Sequence, residues 1–203
     1  MPALVGLDVS RETLDRLSLY EALLRKWNPK INLVSRTTLD AVWTRHFHDS
    51  AQLYGLIPAH ARHLADLGSG AGFPGMVLAI LARELGSPDK TTLVESDMRK
   101  AQFLRTVARE LEIEAEVVNK RIEDAEPLRA HVLTARALAP LITLFDFAER
   151  HLDPEGLAVF PKGKNWQKEV EDAQTKWQFE VQIDKSETNA SSVILSVKGL
   201  ARV

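Results

Sequence analysis

The sequence of 203 residues contains no cysteine, and this absence excludes several kinds of chemistry at once. Disulfide bonds, thiolate metal sites and thiol nucleophiles all require a cysteine side chain. The chain also lacks a long uncharged apolar stretch, so we expect no membrane span. The reaction that this protein supports should therefore proceed without a thiol and away from a lipid bilayer.

We also expect no leader peptide, and the chain has no large excess of one charge. Residues 1–10 have no basic start followed by an apolar segment and a cleavage site, so we expect a cytoplasmic protein. The 26 Lys and Arg residues nearly balance the 28 Asp and Glu residues, which leaves a net charge of −2. A local cationic face can still bind a phosphate backbone, so any nucleic-acid surface should be a patch.

Two amphipathic helices are predicted in residues 1–60. Apolar side chains recur with helical spacing from Leu14 to Trp27, which predicts a helix over 11–27 with Ser10 as its N-cap. The pair Asn28-Pro29 should end this helix, because proline disfavours helical geometry in the residue before it. A second helix is predicted over 38–54. We interpret residues 1–60 as an N-terminal helical extension.

Residues 61–203 show the alternation of short apolar runs and amphipathic helices that is typical of βαβ units and a parallel sheet. Strands are predicted at 63–67, 91–95, 115–118, 131–135 and 157–161, and helices at 75–86, 97–111 and 140–151. Strict alternation at 179–183 and a β-branched run at 192–198 predict a terminal hairpin-like pair that closes the sheet. These residues should form one α/β domain.

A glycine-rich turn, Gly68-Ser69-Gly70-Ala71-Gly72-Phe73-Pro74-Gly75, follows the first predicted strand. Glycine allows a sharp turn and a close approach of backbone to ligand, although a purely structural turn could have the same composition. The spacing G-x-G-x-G differs from the dinucleotide fingerprint G-x-G-x-x-G. Asp66, just before the turn, would repel a pyrophosphate but could attract the ammonium group of a methionine moiety. This pattern favours the cationic cofactor S-adenosyl-L-methionine.

Further candidate residues follow later strands, where open α/β sheets bind ligands. Glu95, with Ser96 after it, could accept both ribose hydroxyls, or it could be a solvated charge at a strand end. Ile122 and Glu123 suit an adenine ring and its amino group, although this stretch could equally be a solvated loop. Arg136 should be costly at the end of a core strand unless it is paired. It is therefore expected to form a structural ion pair or to act in catalysis.

Motifs along nearly the whole chain occur together in one known family. They are Trp27-Asn28, Ile31-Asn32-Leu33, Arg45-His46, Asp49-Ser50, the glycine turn, Val94-Glu95-Ser96, Lys100, Phe103-Leu104-Arg105, Arg136-Ala137 and Lys162-Gly163. The chain thus resembles the bacterial RsmG family, also called GidB, which methylates guanine-N7 in 16S ribosomal RNA of the small ribosomal subunit. Two departures, a slightly longer stretch at 84–90 and His48 within the Arg45–Ser50 motif, touch no expected cofactor contact.

The resemblance implies a fold, a cofactor and site residues. The fold is an α/β, class I Rossmann-like methyltransferase with a mostly parallel seven-stranded sheet, helices on both faces and an N-terminal helical extension. The cofactor is S-adenosyl-L-methionine, with family contacts that fall on Gly68, Phe73, Ile122, Glu123 and Arg136. Together with the reading of the residues themselves, the predicted cofactor set is Gly68, Ser69, Gly70, Phe73, Glu95, Ser96, Ile122, Glu123 and Arg136.

The residues themselves narrow the type of methyl transfer. Transfer to C5 of a pyrimidine usually needs a cysteine nucleophile, which this chain lacks. Transfer to an exocyclic amine commonly uses an Asn/Asp-Pro-Pro-aromatic turn, where this chain reads Arg136-Ala137-Leu138-Ala139-Pro140. Guanine N7 carries a lone pair and no proton, so alignment alone can lower the barrier, by roughly 7–11 kcal/mol. This agrees with the resemblance and predicts no general base.

The RNA substrate, either free 16S ribosomal RNA or the small subunit, needs cationic contacts. We predict Lys162, Lys164, Arg45, Arg36 and Lys100 for this role, although each could be an ordinary solvated charge.

His46, Asp49 and Ser50 are expected to hold the extension against the sheet, and no metal site is expected because the His/Asp pair has no third ligand nearby. We also expect a monomer. Two alternatives stay open at this point: a methyltransferase that acts on small molecules or proteins, and a noncatalytic RNA-binding protein with a vestigial pocket.

Overall fold

The computed structural model describes Leu4 and residues 6–203. Residues 1–3 and 5, which belong to the predicted extension and to the segment searched for a leader, lie outside the described residues. The strands are β1 (His63–Leu67), β2 (Lys90–Val94), β3 (Ala115–Val118), β4 (Ala130–Thr134), β5 (Leu152–Lys162), β6 (Trp177–Lys185) and β7 (Val193–Arg202). The α-helices are α1 (Arg11–Ile31), α2 (Arg36–Asp40), α3 (Asp49–Ala51), α4 (Gly75–Leu85), α5 (Met98–Glu110), α6 (Leu141–His151) and α7 (Trp166–Gln174).

The seven strands form one sheet in the order β3-β2-β1-β4-β5-β7-β6. Strands β1 to β5 are parallel, and β7 runs antiparallel to both of its neighbours, β5 and β6. The winding reverses between β1 and β4, which is where open α/β sheets form a ligand crevice. The predicted strands and the terminal pair are confirmed, with β5 starting five residues earlier than the expected position 157.

Helices cover both faces of the sheet. On one face α1, α4 and α5 share a core that contains Tyr20, Ile80 and Phe103. On the other face α6 and α7 pack over a core built around Phe145 and Trp177. The predicted fold class is therefore confirmed. Helix α7 was not predicted from the sequence, although Trp166, Val170 and Ala173 recur with helical spacing and pack on this core.

Helix α1 begins as predicted, with the Ser10 side chain accepting a hydrogen bond from Thr13 N, but its predicted end at residue 27 is wrong. The helix continues through Pro29 to Ile31. Asn28 is buried, and its Oδ1 accepts a hydrogen bond of 2.8 Å from Val34 N. Burial and this hydrogen bond outweigh the preference of Asn28, the residue before proline, for non-helical geometry. Pro29 itself lies in the last turn of the helix.

The predicted helix over 38–54 is also wrong as a single regular element. After α2, the chain forms a π-helical segment over Trp43–His48, then the short α3 and a 3-10 turn at Tyr54–Leu56. Helical spacing in a sequence cannot show this wider turn, which is often found at functional sites. The π-helical segment buries His46 and Phe47 while Arg45 faces solvent.

Candidate active site

The glycine turn after β1 forms the floor of the crevice. Gly68 and Gly70 have φ angles of 64° and 58°, in the left-handed region that side chains disfavour. The backbone N–H of Ser69 donates to Val94 O at 3.0 Å, and its hydroxyl donates to Asp66 O at 2.9 Å. A Cβ atom added at Gly70 would meet nothing nearer than Gly68 O at 3.8 Å. The turn is therefore held by hydrogen bonds and has open space above it.

Glu95 is tied directly to this turn. Its Oε2 accepts a hydrogen bond from Gly70 N and its Oε1 accepts one from Asp97 N, both at 2.8 Å. The residue is only 7% exposed, so it is not a solvated charge at a strand end. Asn119, which the sequence did not single out, donates from Nδ2 to Glu95 O at 2.8 Å and supports the same corner. Each carboxylate oxygen keeps a lone pair for a further donor.

A cavity of about 450 Å³, called here the Glu95 cavity, lies over the glycine turn beside β2 and β3. Its lining includes seven of the predicted cofactor residues, Gly68, Gly70, Glu95, Ser96, Ile122, Glu123 and Arg136, together with Lys100. Ile122 supplies a buried apolar wall, and Glu123 is exposed beside Arg121. The structure therefore brings together an acidic corner and an apolar wall, as a ribose and an adenine ring would require. Their contact with a cofactor stays a prediction.

Asp66 does not reach this crevice, so the expectation that it attracts an ammonium group is not supported. It is completely buried, its Oδ2 accepts from Gly75 N at 3.2 Å, and its Oδ1 accepts from Thr134 Oγ1 at 2.9 Å. Burial raises the pKa of its carboxyl group to about 6, against the lowering effect of these hydrogen bonds. A Cβ atom at Gly75 would lie 2.5 Å from Asp66 Cβ. Asp66 thus joins the start of α4 to β1 and β4.

Arg136 connects the sheet to the extension. Its Nη1 donates to Asp49 Oδ2 at 3.1 Å and to Arg45 O at 3.2 Å, and its Nη2 donates to His46 Nδ1 at 3.0 Å. The guanidinium carbon also lies 5.2 Å from the centre of the Phe73 ring. Of the two expected roles, the structure shows the ion pair, and a part in catalysis stays a prediction.

His46 is a neutral residue in this arrangement. Burial, followed by the charge of Arg136, lowers the pKa of its imidazole to about 4. Because Nδ1 accepts from Arg136, the single ring proton lies on Nε2. The ring stacks on Phe73 at 4.7 Å, and Phe73 in turn stacks on Tyr20 of α1 at 5.5 Å. Phe73 is thus held between the glycine turn and the extension.

The expected role of His46, Asp49 and Ser50 in holding the extension is met by the first two residues. Asp49 also accepts a hydrogen bond of 2.6 Å from Thr188 Oγ1, which attaches the β6–β7 loop (residues 186–192) to the extension. Ser50 is fully buried, but its hydroxyl has no hydrogen-bond partner among the described residues. Ser50 therefore contributes packing only.

A second cavity of about 360 Å³, called here the Asn189 cavity, lies on the other side of Arg136. It is lined by Leu33, Val34, Thr38, Arg45, His46 and Asp49 of the extension, by Gly68, Ser69, Gly70, Ala71, Phe73, Arg136 and Ala137, and by Thr188, Asn189 and Ser192 of the β6–β7 loop. Ser69 and Phe73 face this cavity and not the Glu95 cavity. The polar run at 186–192 indicates a loop. Its position at the crevice could not be predicted, because it depends on the order of β5, β7 and β6 in the sheet.

The prediction that Lys162 contacts RNA phosphate is wrong. Its side chain is 8% exposed, and Nζ donates to Ala139 O at 3.0 Å and to Glu169 Oε2 at 2.8 Å. Glu169 Oε2 also accepts from Leu141 N at 2.9 Å. The partner carboxylate comes from α7, a helix that was not predicted. Lys162 therefore holds the segment between β4 and α6 in place.

The other predicted RNA residues remain available. Lys164, Arg36 and Arg45 are exposed, and Lys100 is half-buried at the Glu95 cavity. Within the described part of the chain, no three His, Asp or Glu side chains are grouped so as to hold a metal ion. No helix among these residues has both the length and the apolar character needed to cross a membrane.

Comparisons with known proteins place the chain in a family. The family described as GidB, rRNA small subunit methyltransferase G, matches residues 13–194. The chain is 52% identical to ribosomal RNA small subunit methyltransferase G of Ruegeria sp. (strain TM1040), with 97% of this chain and 96% of the relative covered. It is 53% identical to the protein of the same name from Rhodospirillum centenum, with 95% and 87% covered.

Solved structures with little sequence identity share the fold. A methyltransferase from Geobacter sulfurreducens matches with a TM-score of 0.59 at 14% identity, covering 95% of this chain and 91% of that one. The ribosomal protein L11 methylase from Lactobacillus delbrueckii subsp. bulgaricus matches with a TM-score of 0.59 at 18% identity, covering 74% and 78%. At these identities the similarity shows the fold only. The family is shown by the family match and by the two relatives above. The chain belongs to the GidB family of small-subunit ribosomal RNA methyltransferases.

Proposed function

We propose that this protein transfers a methyl group from S-adenosyl-L-methionine to N7 of a guanine in 16S ribosomal RNA, with free RNA or the small ribosomal subunit as its substrate. The observation that carries the proposal is the pair of cavities that meet at Gly68, Gly70 and Arg136. Two ligands held in these cavities would approach one another over the glycine turn. A ribosomal substrate makes the cytoplasm the compartment we propose, and the monomeric state stays a prediction.

The Glu95 cavity fits the proposed cofactor. The open space above Gly70 leaves room for a ligand against the backbone, and the remaining lone pairs of Glu95 can accept two ribose hydroxyls. Ile122 offers its apolar surface to an adenine ring, and Glu123 stands beside it for the amino group. When bound, S-adenosyl-L-methionine supplies a methyl group on a positively charged sulfur.

The crevice suits an acceptor that does not need to lose a proton. The lone pair of the neutral His46 is occupied by Arg136, so His46 is not placed to act as a base. Asp49 accepts hydrogen bonds from Arg136 at Oδ2 and from Thr188 and Gln52 at Oδ1, so its carboxylate joins the sheet, the extension and the β6–β7 loop. Guanine N7 carries a lone pair in the ring plane and no proton, so the residues of the crevice need only align it with the methyl group.

The proposal is tested by incubating the purified protein with labelled S-adenosyl-L-methionine and with unmodified small subunits or free 16S RNA. We expect label at N7 of one guanine, located by mapping the modified nucleotide. Label on a ribosomal protein, on another atom of the RNA, or on neither substrate would contradict the proposal. The comparison of subunits with free RNA also identifies which of the two is the substrate.

The cofactor site is tested with Glu95→Gln. We expect the free energy of cofactor binding to weaken by about 1–3 kcal/mol, because the ribose hydroxyls lose a charged acceptor. The measurement is titration calorimetry with S-adenosyl-L-methionine. Glu126→Gln is the matched control, since Glu126 is exposed and does not line either cavity. An unchanged dissociation constant for Glu95→Gln would remove Glu95 from the site.

A further inference from the structure

The Asn189 cavity is built from two parts of the chain that the sheet alone would not bring together. The extension supplies Thr38, Arg45 and His46, and the β6–β7 loop supplies Thr188, Asn189 and Ser192. The loop is attached to the extension by Thr188 Oγ1, which donates to Asp49, by Glu187 N, which donates to Gln52 Oε1 at 2.8 Å, and by Gln52 Nε2, which donates to Ser186 Oγ at 3.3 Å. The segment directly before Asn189 is therefore fixed to the extension.

The polar side chains of this cavity that are not already paired are mainly donors. Arg45 is exposed at its rim, and the Asn189 amide and the Ser192 hydroxyl line it, whereas the carboxylate of Asp49 already accepts from Arg136, Thr188 and Gln52. Such a lining suits a ligand edge that carries acceptors. The N7 edge of guanine presents two acceptors, N7 and O6, whereas the same edge of adenine presents N7 and the donor amine N6.

The Asn189 amide has a defined orientation. Its Oδ1 accepts hydrogen bonds from Ser191 N at 3.0 Å and from Ser191 Oγ at 2.9 Å. A backbone N–H can only donate, so the oxygen of the amide must face Ser191 and the NH₂ group must point away from it. Within the described residues, Nδ2 of Asn189 has no hydrogen-bond partner. Asn189, which lines the cavity, thus holds an unpaired donor in a fixed orientation.

We infer that the Asn189 cavity is the site of the acceptor base and that Nδ2 of Asn189 donates a hydrogen bond to O6 of the target guanine. The inference rests on the proposed function, since it assigns the second ligand of that reaction. The base lies beside Asn189 with N7 towards the Glu95 cavity, and Asn189 selects guanine because adenine would place a donor against a donor. Asn189 is a specificity-determining residue that binds the substrate and takes no part in bond making.

The test compares substrates that carry guanine or 2,6-diaminopurine at the target position. The second base keeps N7 and replaces O6 by an amine. Asn189→Asp keeps the oxygen that faces Ser191 and replaces the donor by an acceptor. We expect this variant to lower the ratio of kcat/KM for guanine over 2,6-diaminopurine by about 10-fold or more, while the dissociation constant of S-adenosyl-L-methionine is unchanged. Asn189→Ala should lower the same ratio without adding a charge.

Ala190→Asp is the matched control, because it places the same new charge on the neighbouring exposed residue, which does not line the cavity. It should leave the ratio unchanged. An unchanged ratio in both Asn189 variants overturns the inference, as does a 10-fold loss of cofactor affinity with the ratio intact, which would assign Asn189 to the cofactor. If the wild-type protein methylates neither base, the proposed function itself fails, and this outcome is seen before any variant is compared.

Discussion

Tyr20 shows how a single residue of the extension supports the glycine turn. Its side chain is completely buried, and its hydroxyl donates a hydrogen bond to the carbonyl oxygen of Ala71 within the glycine turn. Directly beside it, Gly72 has a φ of 91°, and an added Cβ atom would lie 3.0 Å from Met76 Cβ. The turn is therefore packed against α1 and α4 from below while its upper side stays open.

We predict that Tyr20→Phe lowers both the stability of the protein and its affinity for cofactor. The buried Ala71 carbonyl would lose its partner, which should reduce the free energy of unfolding by about 1–2 kcal/mol. Denaturant unfolding and calorimetry with S-adenosyl-L-methionine measure the two effects. Tyr54→Phe is the control, because the Tyr54 hydroxyl donates to Ser87 O at 2.7 Å away from the cavities. If Tyr20→Phe binds cofactor as tightly as Tyr54→Phe does, Tyr20 supports only the core.

Residue positions could be predicted from the sequence where they depend on local chain geometry. The glycine turn and the acid at the end of β2 were located correctly, because both follow from their position after a strand. Asp66 was interpreted wrongly because its partner Thr134 lies 68 residues away. Lys162 was interpreted wrongly because its partner Glu169 lies in α7, a helix that was not predicted. Asn189 was not identified, since only the folded β6–β7 loop brings it to the glycine turn.

At the scale of elements, apolar periodicity predicted the parallel strands and the helices α4, α5 and α6 within one or two residues, except at the start of β5. It failed for two elements. Helix α7 packs Trp166, Val170 and Ala173 on the core with helical spacing, a pattern that was overlooked, and the π-helical segment has a pitch that a period of 3.6 residues does not describe. Both elements position residues of the site, namely Glu169 beside Lys162 and His46 beside Arg136.

The two lysines near the end of β5 should behave differently when each is replaced by alanine. Lys162→Ala leaves Glu169, whose side chain is 26% exposed, without its cationic partner, so we expect a loss of about 1–3 kcal/mol in the free energy of unfolding. Lys164→Ala should leave stability unchanged and, if Lys164 contacts a phosphate, flatten the log-log salt dependence of RNA binding by about 0.7–0.9. Unfolding curves and RNA titrations at several salt concentrations separate the two. Equal effects of both variants on stability would contradict this assignment.

At the scale of the whole molecule, two buried groups give the stability opposite dependences on pH. The pKa of Asp66 is raised from 3.8 to about 6, so its contribution is present below pH 3.8 and is lost as the pH rises through 6. The pKa of His46 is lowered from 6.5 to about 4, so its contribution is present above pH 6.5 and is lost as the pH falls through 4. Between these limits the two effects offset each other.

Single variants should reveal each effect. For Asp66→Asn we expect stability to fall more steeply than in the wild type on acidification from pH 6 to 4, by at most about 1.4 kcal/mol per pH unit. For His46→Gln we expect the opposite change of slope over the same interval. Denaturant unfolding at a series of pH values gives both slopes. Parallel curves for the wild type and Asp66→Asn would show that the carboxyl group titrates normally.

The division of the chain at residue 60 stays a prediction, because residues on either side of it share one core. The ring centres of Tyr20, Phe47 and Phe73 are 5.4–5.8 Å apart, so the extension and the glycine turn pack together. Burial of aromatic rings of this size stabilises such a contact strongly. A cofactor bound on the turn and an RNA bound on the extension would therefore act on the same packed side chains.

The sheet order also has a consequence for synthesis of the chain. Strand β7 follows β6 in sequence but lies between β5 and β6, and it is hydrogen-bonded to both. Until residues 193–202 have left the ribosome, the edge of β5 stays unpaired and β6 cannot join the sheet. Unpaired strand edges favour association with other chains. A nascent chain of this protein should thus depend on rapid completion, or on a chaperone, during the interval before its last strand arrives.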